Sequence, residues 1–184
     1  MSKVVDWSEL ANADRELVER AQEACAQAYA PYSLFAVGAA ARSKSGSIYT
    51  GANFENASSG LTICAEAAAL TAAGSAGDLA LETIAVVGLS FADSTGAARV
   101  VTPCGSCRQL IAEAAQLTQT DVRILCCNGE LSSIVETTVS RLLPNAFGPG
   151  NLGLRRQWPE LQRQLRARVK QLIDLRLIKS RVPR

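Results

Sequence analysis

Two hydrophobic periods take turns along the first 143 residues of this 184-residue chain, and their alternation narrows the folds open to it. Residues 14–30, DRELVERAQEACAQAYA, bring Leu17, Ala21, Ala24, Cys25 and Ala28 onto one helical stripe, with acids early and Pro31 ending the run. The stretch SLFAVGAAARSKSGSIYTGANFE reads as a hairpin: an apolar run, a Lys-Ser-Gly turn at 44–46 and a second strand through Tyr49. An alanine-rich helix follows from Cys64 to Gly74, then a buried strand, ETIAVVGLSF. Next come a helix from Cys104 to Leu117, the strand DVRILCC at 121–127, and a short amphipathic helix, LSSIVETTVSRLL. The order α-β-β-α-β-α-β-α predicts an α/β layered fold in which helices cover a mixed sheet.

A chain of this length supports one well-covered core and is too short for two ordinary domains. Its 48% hydrophobic and 20% charged residues are ordinary for a globular unit. No N-terminal segment reads as a secretory leader, and no apolar run approaches the ~20 residues that cross a bilayer, so a cytoplasmic location is expected. In that compartment the six cysteines stay reduced, which leaves metal ligation, catalysis or plain burial as their uses. Histidine is absent, which excludes Ser-His-Asp and Cys-His nucleophile systems and any imidazole-based metal site. Proton transfer then falls to carboxylates or to water, with or without a metal.

Charge divides the chain. Residues 1–150 carry nine Lys/Arg against fifteen Asp/Glu, a net of −6, whereas residues 151–184 carry ten against two, a net of +8. The first segment is read as the catalytic body and the second as a basic helical tail. Leu161, Leu165, Val169 and Leu172, with Leu175 or Arg176, follow helical spacing there, among Arg155, Arg156, Arg163, Arg166, Arg168 and Lys170. Three readings of the tail stay open: packing on the acidic body or a neighbouring subunit, binding of nucleic acid or anionic lipid, or a fusion scar without evolved role.

The chemistry concentrates in Cys64, Glu66, Cys104 and Cys107. Cys64 opens one helix; forty residues later TPCGSCRQL sets Cys104 and Cys107 at i and i+3 at the start of another. Thiolates at helix N-termini are favoured by unpaired N–H groups and the positive dipole end, which lower their pKa. Three thiolates hold Zn²⁺ and leave its fourth tetrahedral position to water, the mark of a catalytic site, with Glu66 as the base that is not a ligand. C-x-E with P-C-x-x-C is the pattern of zinc deaminases in its three-cysteine form. The alternative is two buried thiols or a structural half-site, against which stands Glu66, a carboxylate costly to bury unpaired in an alanine-rich helix. Core packing accounts for Cys25, Cys126 and Cys127.

The motifs YAPYSLFAVGAA, GANFENASSGLTICAE, PCGSCRQ and LLPNAFGP, from about Ala28 to Leu152, resemble in order and spacing those of the small homotetrameric cytidine deaminases. The resemblance implies a three-layer αβα sandwich around a five-stranded mixed sheet. It implies Zn²⁺ on Cys64, Cys104 and Cys107, with Glu66 moving protons as cytidine or deoxycytidine loses its amine, a step of pyrimidine salvage. Asn53 and Glu55 match the pair that reads the ribose diol, Phe35 the aromatic of the pyrimidine pocket, and Phe147 one that reaches a neighbouring subunit's site. Ala65 N–H would support the attacking oxygen, and the Thr102 carbonyl would accept from the substrate amine.

Two positions depart from the family pattern. Ala67 stands where an arginine commonly offsets the charge of three thiolates, leaving two helix N-termini and Arg108 as candidates to do so. Ser59 stands where relatives carry a tyrosine near the ribose 5′ end. Ala67 also suits blasticidin-S deaminase, a relative acting on a cytosine-bearing antibiotic, but Asn53, Glu55, Asn56 and Phe147 favour a plain nucleoside. A nucleic-acid-binding or editing protein built on the tail would want stacking aromatics; only 5% of residues are aromatic, and Trp158 alone lies in the tail. A small-molecule nucleoside is therefore the expected partner, with no membrane and no nucleic acid.

Overall fold

The computed structural model describes residues 2–91, 99–154 and 157–181; the tail's Arg155 and Arg156 lie outside them. Residues Met1–Ala146 form one compact unit and Phe147–Arg184 a second. The first carries β1 (Lys3–Val5), α1 (Asn12–Ala24), β2 (Phe35–Ser43), β3 (Ile48–Ala52) and α2 (Ala65–Ser75). It continues with β4 (Leu81–Ser90), α3 (Gly105–Thr118), β5 (Arg123–Asn128), β6 (Ile134–Thr138) and the single turn α4 (Val139–Leu142).

The strands make one mixed sheet in the order β1-β6-β5-β4-β2-β3, in which β4 and β5 run parallel and every other pair is antiparallel. Alternation along β4 builds the layers. Ala85 and Val87 join α1 residues Leu17, Val18 and Ala21 on one face, while Ile84 and Val86 meet α2 and α3 through Ala69, Ala73 and Ile111 on the other. This is the three-layer αβα arrangement. Cys126 and Cys127, adjacent on β5, enter opposite cores, and Cys25 lies against the Val87 carbonyl, all three fully or nearly buried.

Three sequence expectations need correction. The sheet has six strands instead of five, because Lys3–Val5 pairs with β6, a three-residue edge too short to carry a period. Residues 131–143, read as a helix, form β6 and then only one helical turn. The β-branched run Ile134, Val135, Thr137, Thr138 finds strand partners on both sides, and that pairing overrides an amphipathic spacing. The first helix ends at Ala24, not near residue 30, after which a 3₁₀ turn over Cys25–Gln27 frees Tyr29 to bond with Asn53 and Glu55.

Close approach fixes where α2 sits. A Cβ at Gly51 of β3 would lie 2.5 Å from both the Ala65 carbonyl and the Ala69 nitrogen of α2. We expect Gly51→Ala to cost about 1–3 kcal/mol by forcing helix from sheet. Thermal unfolding gives that cost; zinc content should fall with it, since Cys64 caps the helix that moves.

A buried ion network closes one end of the sheet. Asp14 of α1 accepts from Arg42 of β2 at 2.7 Å and from Arg123 of β5 at 2.9 Å, and Arg42 also donates to the Ala13 carbonyl. The carboxyl is held below its ordinary range: burial works against ionisation, but the two guanidinium partners outweigh it.

The second unit contains α5 (Trp158–Arg181). Trp158, Leu161, Leu165, Val169, Leu172 and Leu175 are exposed along it, with a Glu160–Arg163 ion pair and an Arg168–Gln171 hydrogen bond on its polar side.

Candidate active site and metal centre

The two helix starts on one face of the sheet come together. Cys64 is the N-cap of α2, Cys104 the N-cap of α3, and Cys107 lies in the first turn of α3. Cys64 Sγ and Cys104 Sγ are 3.8 Å apart, and all three sulfurs fall within 4.8 Å of one another. Tetrahedral Zn²⁺ with bonds of ~2.3 Å places its sulfur ligands about 3.8 Å apart, so the cluster is of the right size for one zinc ion. Among the described residues this is the metal-competent cluster of three, and none of the six cysteines is in a disulfide.

Placement at helix starts does not lower all three thiols, as the sequence had suggested. Burial pushes the Cys107 thiol far above its ordinary value, with the Glu66 and Cys64 charges adding to it. Burial also raises Cys64. Only Cys104 is lowered: burial opposes this, but the N–H groups of Cys107 and Ser106 and the neighbouring thiols outweigh it. Protein groups alone therefore disfavour ionisation of Cys64 and Cys107, and a bound dication would supply the charge that displaces their protons.

Glu66, in the first turn of α2, is 4% exposed. Its carboxyl is pushed above the ordinary range by burial, partly offset by its own N–H and the Cys107 thiol. It lines a cavity of about 190 Å³. Val37, Asn53, Thr62, Cys64, Ala65, Glu66, Val101, Thr102 and Cys104 line it. Val37, Thr62 and Val101 carry no chemical signature in the sequence and supply apolar wall.

Of the residues expected around the substrate, Asn53, Ala65 and Thr102 line this cavity, while Phe35 and Glu55 are not among its walls. Phe35 instead packs over Gly88, where an added Cβ would sit 2.9 Å from its ring and 2.5 Å from Val101. Asn53 acts as a strand mimic: its Oδ1 accepts from Val37 N–H at 2.8 Å and its Nδ2 donates to the Phe35 carbonyl at 3.1 Å. Glu55 Oε2 accepts from the N–H groups of Tyr32 and Ser33 at 2.9 and 3.3 Å. Phe147, 62% exposed, belongs to the second unit. Ser59 begins an exposed 3₁₀ turn at Ser59–Leu61.

Arg108 has work of its own. Its guanidinium donates to the Pro103 carbonyl at 2.8 Å and the Leu142 carbonyl at 3.2 Å, fastening the loop that carries Cys104 to α4. Its charge reaches the core as far as Cys126, whose thiol burial nonetheless pushes up to about 12.

Comparison with known proteins agrees with this geometry. Residues 11–121 match the family model described as the cytidine and deoxycytidylate deaminase zinc-binding region. A cytidine deaminase of Halalkalibacterium halodurans is 48% identical over 135 residues, spanning 73% of this chain and 94% of that one. The crystal structure of cytidine deaminase from Burkholderia pseudomallei superimposes with a TM-score of 0.64 at 37% identity, covering 75% of this chain and all of the other. A blasticidin-S deaminase of Bacillus cereus is 38% identical over 133 residues, 71% of this chain and 89% of that protein. With a matched zinc-binding region, a three-thiol cluster of zinc dimensions and a buried glutamate beside it, the chain belongs to the cytidine and deoxycytidylate deaminase zinc-binding family.

Proposed function

We propose that this protein hydrolyses cytidine and 2′-deoxycytidine to uridine and 2′-deoxyuridine with release of ammonia. The observation that carries the reading is the convergence of Cys64, Cys104 and Glu66 on one cavity that Asn53 also walls. Cys64, Cys104 and Cys107 hold zinc, which when bound acts as a Lewis acid and makes a water acidic enough to serve as nucleophile near neutral pH.

The remaining roles fall to the chain. Glu66 accepts one proton of the attacking water and passes it to ring N3 as C4 becomes tetrahedral; it then takes the proton of the new C4 hydroxyl and delivers it to the amine, which leaves as ammonia when the C4–N bond breaks and the C4 carbonyl forms. Its buried position favours this shuttle, because a carboxyl with a raised pKa gives a proton back as readily as it takes one. Ala65 N–H, at the open start of α2, donates to the attacking oxygen, and the Thr102 carbonyl accepts from the 4-amino group. Phe35 packs beside the base through Val101, and Phe147 serves a neighbouring subunit's site in a homotetramer.

Hydrogen-bond accounting sharpens the sugar contact. Asn53 has a second amide N–H beyond its bonds to β2, and the Glu55 carboxylate is an acceptor beyond the two N–H donors on its Oε2. One donor and one acceptor suit a single hydroxyl, and the 3′-hydroxyl is the one that both sugars carry. The enzyme acts in the cytoplasm, in pyrimidine salvage.

Conversion of cytidine and deoxycytidine, followed by the ultraviolet change at C4, tests the reading directly, with blasticidin S as the third substrate. Zinc-loaded protein that converts only blasticidin S would transfer the reading to the antibiotic. Residues 151–184 form a basic appendage to the catalytic body of residues 1–150. Truncation after Leu152 should leave kcat/KM within about twofold, and neither form should bind nucleic acid with the steep salt dependence of phosphate contacts.

A further inference from the structure

Tyr29 N–H donates to the Asn53 carbonyl at 3.0 Å and Glu55 N–H to the Tyr29 carbonyl at 2.8 Å, so the segment before β2 is zipped to the segment after β3. Ser33 sits at the centre of this seam. Its N–H donates to Glu55 Oε2 at 3.3 Å, and its hydroxyl accepts the Phe35 N–H at 3.1 Å. The same hydroxyl favours the charged form of the Glu55 carboxylate and is the largest influence keeping that carboxyl below its ordinary range.

The backbone on either side is held to match. Leu34, a bulky residue, has φ of +54°, a left-handed conformation that costs an L-residue about 1–2 kcal/mol. Two bonds hold it there, one local and one long-range: Leu34 N–H to the Ala30 carbonyl at 3.1 Å, and Phe91 N–H to the Leu34 carbonyl at 2.9 Å. The turn made at Leu34 is what lets one serine reach both the strand that starts at Phe35 and the carboxylate of Glu55. Strain that the surroundings over-determine in this way is characteristic of functional loops.

We propose that Ser33 is a positioning residue for sugar recognition: its N–H holds Glu55 Oε2 while its hydroxyl, tied to the Phe35 N–H, fixes the loop, and together they orient Glu55 toward a substrate hydroxyl. The proposal rests on the nucleoside reading above and adds to it the group that orients Glu55. Two backbone donors, the N–H groups of Tyr32 and Ser33, hold one oxygen of this half-buried carboxylate.

The test compares cytidine with 2′,3′-dideoxycytidine, which offers Glu55 no ring hydroxyl, for the zinc-loaded full chain and for Ser33→Ala. The expected result is that the ratio of kcat/KM for cytidine over the dideoxy substrate falls about tenfold, through KM on cytidine, and that Ser33→Thr restores it. An equal loss on both substrates would reduce Ser33 to a general structural role, and an unchanged ratio would remove it from recognition altogether. Either result overturns the proposal while leaving deamination intact. A parent protein that converts no cytosine nucleoside fails the functional reading instead, so the two failures are distinct.

Discussion

Glu66→Gln lowers kcat on cytidine by about 10²- to 10⁴-fold and leaves one zinc per chain. The range is that of a positioned general acid–base group, and the substitution keeps size and polarity while removing the ability to exchange a proton. Glu66 stands in the first turn of α2, beside but not within the sulfur cluster, so zinc content by elemental analysis should match the parent. Cys107→Ser provides the opposite pattern: it removes a sulfur from the cluster, so zinc and activity leave together. A Glu66→Gln protein that loses its zinc would make Glu66 a ligand, and one that keeps full turnover would end the proton-shuttle role.

The second large effect concerns stability. Asp14→Ala leaves the buried Arg42 guanidinium without its 2.7 Å carboxylate partner and with only the half-exposed Glu82 carboxylate at 3.8 Å, a change that costs about 3 kcal/mol. For a chain of this size that lowers Tm by roughly 6–12 °C. Asp14 is 8% exposed at its side chain and Arg42 10%, so water has little access to replace the lost partner. Asp14→Asn, which keeps hydrogen bonds without the charge, should cost less. The pH dependence has a definite sign. A carboxyl whose folded pKa is depressed stabilises fully above its unfolded value of ~3.9 and loses that contribution as pH falls through the folded value. Acid unfolding of the parent should therefore be steeper than that of Asp14→Ala, whose remaining stability lacks this source of pH dependence; parallel curves would show that the network is inert.

Legibility followed the range of the interaction. The helices at α1, α2 and α3 were visible because each buries a stripe of its own residues, and β4 because a run of apolar residues is covered on both faces. β6 was misread because its strand character comes from β1 and β5 rather than from Ile134–Thr138 alone. The three cysteines proposed to hold zinc and Glu66 could be named from spacing, since helix-start thiols and a C-x-E step are local features. That Asn53 spends most of its amide on β2 could not, because its partners Phe35 and Val37 lie across the hairpin. The Asp14–Arg42–Arg123 network left no local trace for the same reason: its members come from α1, β2 and β5.

The amino-acid order alone determined the chemistry on offer: thiols without histidine, a carboxylate two residues from the first thiol, and helix starts to receive them. Whether the sulfurs of Cys64 and Cys104 would lie 3.8 Å apart was decided only in three dimensions. Forty residues separate them, and what joins them is packing: α2 and α3 cover the same face of the sheet, with Gly51 letting α2 settle against β3. The ionisation of the thiols was decided there too. Burial between two helices and a glutamate opposes the loss of protons that helix dipoles favour, and at Cys64 and Cys107 burial is the larger effect.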